Sequence, residues 1–155
     1  MTEFKQQRRG RKIAMSDAER DEFLRASRVC RVASVGPFGP HATPLWYVWD
    51  GACLWLYSLT RSQRWADIVS DPRVGVVVDG GEAYSELHGV EITGTATPVG
   101  EQPRTGETAP ELDEPERLFA AKYSDGTMRH DGAHAWLRIT PSKIVSWDFR
   151  RLSAQ

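Results

Sequence analysis

Thr60-Arg61-Ser62-Gln63-Arg64 places two guanidinium groups and two hydroxyls where an apolar strand pattern gives way to a helix pattern. The first amides of a helix have no intrahelical acceptor and point at whatever precedes them. Together with the helix dipole they favour an anion there. Arginine adds charge-assisted bonds, bidentate to a phosphate where geometry allows. The same five residues also read as a solvated helix start in which Ser62 is only the N-cap. The segment leading in, HATPLWYVWDGACLWLYS over residues 41–58, raises the first reading. Its apolar residues fall on both faces of two short strands joined at Asp50-Gly51, a favoured turn pair. An aromatic surface beside a basic cap suits a planar molecule with a phosphate tail.

Other chemistries lack their residues. His41, His88, His130 and His134 are scattered, no HExxH or CxxC occurs, and they read as structural or surface residues. GxGxxG, P-loop and GxSxG sequences are also missing. Glu82, Glu86 and Glu91 read as a wet loop and strand face. No metal site and no catalytic side chain is assigned. The net charge of -1 gives no global pull toward nucleic acid or anionic membrane, so an anion site must be local. A chain of 155 residues, 40% hydrophobic and 26% charged, is expected to form one soluble domain. No apolar run approaches the ~20 residues of a spanning helix, and MTEFKQQRRGRK is not a secretory signal. Cys30 and Cys53 lie inside apolar strand patterns, as buried thiols of a cytoplasmic protein do.

The elements that must position this site follow from pattern. Residues 1–15 read as a flexible basic arm carrying Lys5, Arg8, Arg9, Arg11 and Lys12, and residues 16–155 as a single domain. Ser16-Asp17-Ala18-Glu19 is a capping box opening a helix to about residue 26. Strands are expected over 28–35, 45–49, 53–57, 73–79, 87–99, 135–140 and 143–149, with a Pro141-Ser142 turn between the last two. Helices are expected over 62–70 and 115–123, and a flexible loop over 100–113. Gly89 and Gly94 inside one strand mark a bulge or bend. The fold class is therefore mostly β: a six- to seven-stranded antiparallel barrel with short flanking helices. Strands apolar on both faces need a helix, a cofactor or another subunit over the second face, and a twofold homodimer is the commonest partner arrangement.

In order and spacing, RVASVGPFGPHATPLWYVWDG and LYSLTRSQRWADIVSDPRV resemble the pyridoxamine 5'-phosphate oxidase-like split β-barrels; SKIVSWDFRRL does so more loosely. The likeness is nearest to the actinobacterial branch that uses F420. It implies a homodimer holding F420, or alternatively FMN, in clefts at the subunit interface. Carried onto this chain, Pro44, Leu45 and Trp46 would lie along the ring system. Ser58 and Thr60 would sit near the phosphate, and Arg61, Ser62, Gln63 and Arg64 would hold it. Arg64 stands where the family usually has lysine, and Gln63 where FMN oxidases carry arginine. The arginine and histidine pattern of the true oxidase is not evident near the C-terminus, so pyridoxamine phosphate oxidation is not implied. Trp147 and Arg150 would reach the partner's cleft. The implied activity is hydride transfer between the deazaflavin and a small conjugated molecule, with the cofactor carrying the hard chemistry. The alternatives are an FMN-dependent oxidoreductase and a non-catalytic flavin- or haem-binding split barrel.

Overall fold

In the computed structural model, which describes residues 4–154, the capping box forms as its sequence requires. The Ser16 hydroxyl accepts from the Glu19 amide, the Glu19 carboxylate accepts from the Ser16 amide, and α1 runs over Asp17–Ala26. The strands are β1 (Val29–Gly36), β2 (Gly39–Trp46), β3 (Val48–Trp49), β4 (Leu54–Leu59), β5 (Arg73–Gly80), β6 (His88–Val99) and β7 (His134–Asp148). Helix α2 (Gln63–Ser70) joins β4 to β5, and α3 (Pro110–Tyr123) joins β6 to β7. All seven strands form one antiparallel sheet in the order β2-β1-β5-β6-β7-β4-β3. The two ends of that order are joined in the chain by Tyr47 alone. The sheet curls until its ends approach, which makes a barrel with one seam, where β2 faces β4 beyond the two-residue β3 and no ladder forms among the described residues.

Alternation fills the barrel. Cys30 and Val32 of β1, Val74, Val76 and Val78 of β5, and Val90 and Ile92 of β6 point inward with Leu54, Leu56, Leu137 and Ile139. Leu24 of α1 and Trp65 and Ile68 of α2 close the same cluster. A second cluster lies outside the sheet, where Val48, Trp55 and Trp136 meet Leu112, Leu118, Phe119 and Tyr123 of α3. This explains the doubly apolar strands. One face of β4 and β7 fills the barrel and the other lies under α3, so this chain's own helix covers the face for which a second subunit was one candidate.

Four local expectations change. The aromatic strands 45–49 and 53–57 do not form one flat hairpin. Only Val48 and Trp49 pair with Trp55 and Leu54, while Leu45 and Trp46 pair with Cys30 and Val29 of β1. No turn forms at Pro141-Ser142. There β7 runs through, opposite a register shift at Thr93/Gly94. Pro141 has no amide to offer the ladder, and a bulge accommodates that. Gly94 is required at the bulge, since a Cβ would lie 2.2 Å from the Thr140 carbonyl oxygen. Helix α3 begins at Pro110 rather than 115 and carries Pro115 inside it. Proline is tolerated in a first turn because its missing amide had no acceptor there, and the buried face of Leu112, Pro115 and Ala120 offsets the bond lost at Pro115. Residues 4–15 lie along the second half of β7. The Gln7 side-chain amide bonds both ways to the Ser146 backbone at 3.0 Å, and the Ile13 carbonyl accepts from the Asp148 amide at 2.7 Å. The rest of the expected arm, residues 1–3, lies outside the described residues.

Candidate functional site

The seam is bridged by one side chain. Ser62 caps α2, accepting from the Trp65 amide at 3.1 Å and donating to the Leu59 carbonyl at 2.8 Å. The helix that starts there turns Arg64 back across the gap. Its Nη1 donates to Thr43 Oγ1 of β2 at 2.6 Å, and its Nε and Nη2 donate to Ser58 Oγ of β4 at 3.3 Å each. The guanidinium is half-buried, and burial lowers its pKa. Among the described residues no carboxylate pairs with it. A half-buried cation held only by hydroxyls is incompletely compensated. Its chemistry is that of an anion site.

The remaining residues expected around that anion divide between places. Ser58 is buried beside Arg64. Thr60 is tied to the Ala133 carbonyl through both its amide, at 3.0 Å, and its hydroxyl, at 3.3 Å. Arg61 is exposed and, with Leu59, Thr60, Ser62, Pro103 and Ala133, lines a cleft of about 480 Å³. Gln63 turns onto its own helix and donates to buried Asp67 at 2.7 Å. Asp67 also accepts from Ser34 at 3.3 Å. Arg61 and Arg64, expected to flank one group, thus occupy a cleft rim and a seam. On β2, Pro44 is exposed, Leu45 half-buried and Trp46 50% exposed. One face of the Trp46 ring is already taken by Tyr123, stacked at 4.3 Å and 9°.

Sequence reasoning passed over Thr43, Tyr47, Lys122 and Tyr123. The Lys122 ammonium sits 4.2 Å from the Tyr47 ring centroid and 5.4 Å from that of Tyr123, and donates to the Tyr47 carbonyl at 3.4 Å. Burial, reinforced by the charge of Arg28, lowers its pKa to about 8. The Tyr123 hydroxyl donates to the Arg28 carbonyl at 2.6 Å and accepts from the Tyr47 amide at 3.1 Å. The charges of Arg64 and Lys122 both favour the Cys30 thiolate. Burial nevertheless pushes its thiol up to about 12, so it is neutral at physiological pH. Thr43 had a legible signal, since it alternates with Leu45 on one face of β2. Lys122 and Tyr123 had none, because only the packing of α3 brings them here.

A family model described as pyridoxamine 5'-phosphate oxidase matches residues 16–148. The chain belongs to this family. Among solved structures, a conserved hypothetical protein of Mycobacterium tuberculosis, Rv2991, is 30% identical, with a TM-score of 0.77 over 96% of this chain and 93% of that one. A FAD-binding protein from Mesorhizobium loti is 20% identical, with a TM-score of 0.64 over 86% and 93%. An F420 reductase, also 20% identical, has a TM-score of 0.60 over 80% and 94%. Comparison with curated proteins returns no match. At 20% identity the last two structures share the fold with this member of the pyridoxamine 5'-phosphate oxidase family, and the donor set at its seam has the chemistry to hold a phosphate.

Elsewhere this family member offers little competing chemistry. His130 and His134, four residues apart, do not converge on a metal: His130 bonds Glu116 at 2.9 Å, and His134 pairs with Asp131. No group of three or more metal-ligating side chains occurs among the described residues. Arg150 is held by Asp148 at 2.8 and 3.0 Å, and Trp147 packs against Gly89. No helix among the described residues is long and apolar enough to cross a membrane.

Proposed function

We propose that the chain is an oxidoreductase that binds F420, with FMN as the alternative cofactor, and transfers hydride to or from a small conjugated molecule. The observation that carries this reading is Arg64, a half-buried guanidinium at the barrel seam with hydroxyl partners and, among the described residues, no carboxylate. Bound there, the cofactor supplies the hydride chemistry. The chain's part is to bind and orient it. Arg64 and the Ser58 hydroxyl hold the phosphate, while Pro44, Leu45 and Trp46 lie along the ring. The Gln63 and Arg64 amides of the first turn of α2 have no acceptor among the described residues and add donors on the same side. F420 is favoured over FMN because Gln63 replaces the arginine of FMN oxidases and is itself turned toward Asp67. The test is a fluorescence titration with each cofactor. Binding in the micromolar range is expected, tighter for F420, and failure of both to bind rejects the reading.

The working form is a homodimer. Its support is the outer face of β1, β2 and β5, where Ala33, Ala42, Gly75 and Val77 form a small-residue apolar surface rimmed by the Arg31–Asp79 ion pair. Such a face, left open, is the kind that a second copy covers. Light scattering on the purified chain should report the mass of two chains, and Ala33→Glu should give one.

A further inference from the structure

The segment Thr43–Tyr47 has an uncompensated cation at each end. Arg64 bonds Thr43 at one end, and Lys122 bonds the Tyr47 carbonyl at the other. Neither has a carboxylate partner among the described residues. Both act on Cys30, which is paired with Leu45 at the middle of the segment. Four residues of extended chain span roughly 13 Å. The residues between are Pro44, Leu45 and Trp46, along which the ring of a flavin-type cofactor is expected to lie. If the phosphate is at Arg64, the far end of the ring system is directed toward Lys122.

We propose that Lys122 meets the electron-rich end of the bound ring and stabilises the negative charge that reduction adds there. The proposal rests on the seam holding a flavin-type cofactor. A hydride brings one proton and two electrons, so a ring that accepts one gains a hydrogen and one negative charge. Charge near the ring is a means by which a protein tunes such cofactors. Lys122 is well placed because its ammonium is partly desolvated and rests on the faces of Tyr47 and Tyr123, where an added anion is only weakly screened. Arg28, over the Tyr123 ring at 5.6 Å, adds to the same positive field. The consequence is that the reduced cofactor binds more tightly than the oxidised one.

The experiment titrates the purified protein anaerobically with F420 and with FMN, each in oxidised and dithionite-reduced form. For the wild type, reduced cofactor is expected to bind more tightly. Lys122→Met should narrow the ratio of the two affinities at least tenfold, about 30 mV in the potential of a bound two-electron couple, and Lys122→Arg should restore it. Equal weakening of both forms by Lys122→Met, or an unchanged ratio, overturns the proposal while leaving the cofactor reading intact. Failure of the wild type to bind either cofactor overturns both. Should Lys122→Met not fold, Arg28→Gln carries the test. It should narrow the ratio in the same direction by a smaller factor, and an unchanged ratio overturns the proposal.

Discussion

Arg64→Met weakens cofactor binding at least tenfold, whereas Arg61→Ala costs several-fold at most and loses even that effect at high salt. The difference follows from where the structure puts the two side chains. Arg64 is half-buried at the seam, with its charge opposed by no carboxylate among the described residues. A charge-assisted bond in that setting contributes about 1.5–3 kcal/mol, and a tenfold change in affinity is about 1.4 kcal/mol. Arg61 is exposed on a cleft rim, where an ionic contact contributes about 1 kcal/mol or less and is screened. Titration of each variant at low and high ionic strength checks both statements. Arg64 also staples β2 to β4, so its loss lowers the thermal midpoint of the cofactor-free protein. Thr43→Val separates the two roles, since it removes one strut and keeps the cation. It should lower stability and retain most of the affinity. If Arg64→Met bound cofactor like the wild type while its midpoint fell, Arg64 would be a staple and nothing more.

That division of labour was only half legible in the sequence. The start of α2 was plain, because Ser62, Trp65 and Ile68 carry a cap and an apolar side in seven residues. The barrel was plain too, because six or seven short strand patterns are separated by closely spaced turn signals with only short helices between them. Invisible was the break at Tyr47. Trp46, Tyr47 and Val48 are all apolar, so period and composition give no reason to end one strand and begin another between them. Yet this residue joins the two ends of the sheet and opens the seam. The partner of Arg64 on β2 and the approach of Lys122 from α3 both depend on that break and on helix packing some 75 residues away in the chain. Residues 100–113 hid their order in the same way. Their proline, glycine and acid content reads as loop, but the loop wraps the Arg104 guanidinium, which is 4% exposed. Glu101 and Glu116 pair with it and the Glu107 carbonyl accepts from it.

Glu116→Leu should destabilise the fold by about 3 kcal/mol, the scale for removing one partner of a buried ion pair. Glu116 is a hub. Its carboxylate accepts from Arg104 at 3.1 Å through both Nε and Nη2, from Trp136 at 3.0 Å, and bonds His130 at 2.9 Å. Arg104 keeps Glu101 in the variant, which holds the cost at the lower end of the range. Removing both charges is a different matter, since a buried pair replaced by apolar groups is often near neutral. Arg104→Met with Glu116→Leu should therefore recover much of the loss. Urea unfolding of the wild type, both single variants and the double variant gives the coupling directly. The pH dependence has a definite sign. Burial pushes the Glu116 carboxyl up, but the bonds from Arg104, His130 and Trp136 outweigh it, and its pKa lies below the ordinary 4.5. Its contribution is thus fully present above about pH 4.5 and is lost as pH falls through the folded value. The stability gap between wild type and Glu116→Leu should narrow over that acid range, and a gap that stayed constant would show that Glu116 is not the titrating link. The consequence reaches the seam, because Glu116 fixes α3 against β7, and α3 is the element that carries Lys122 and Tyr123. A loosened α3 should weaken binding of oxidised and reduced cofactor alike, whereas loss of the Lys122 charge changes their ratio.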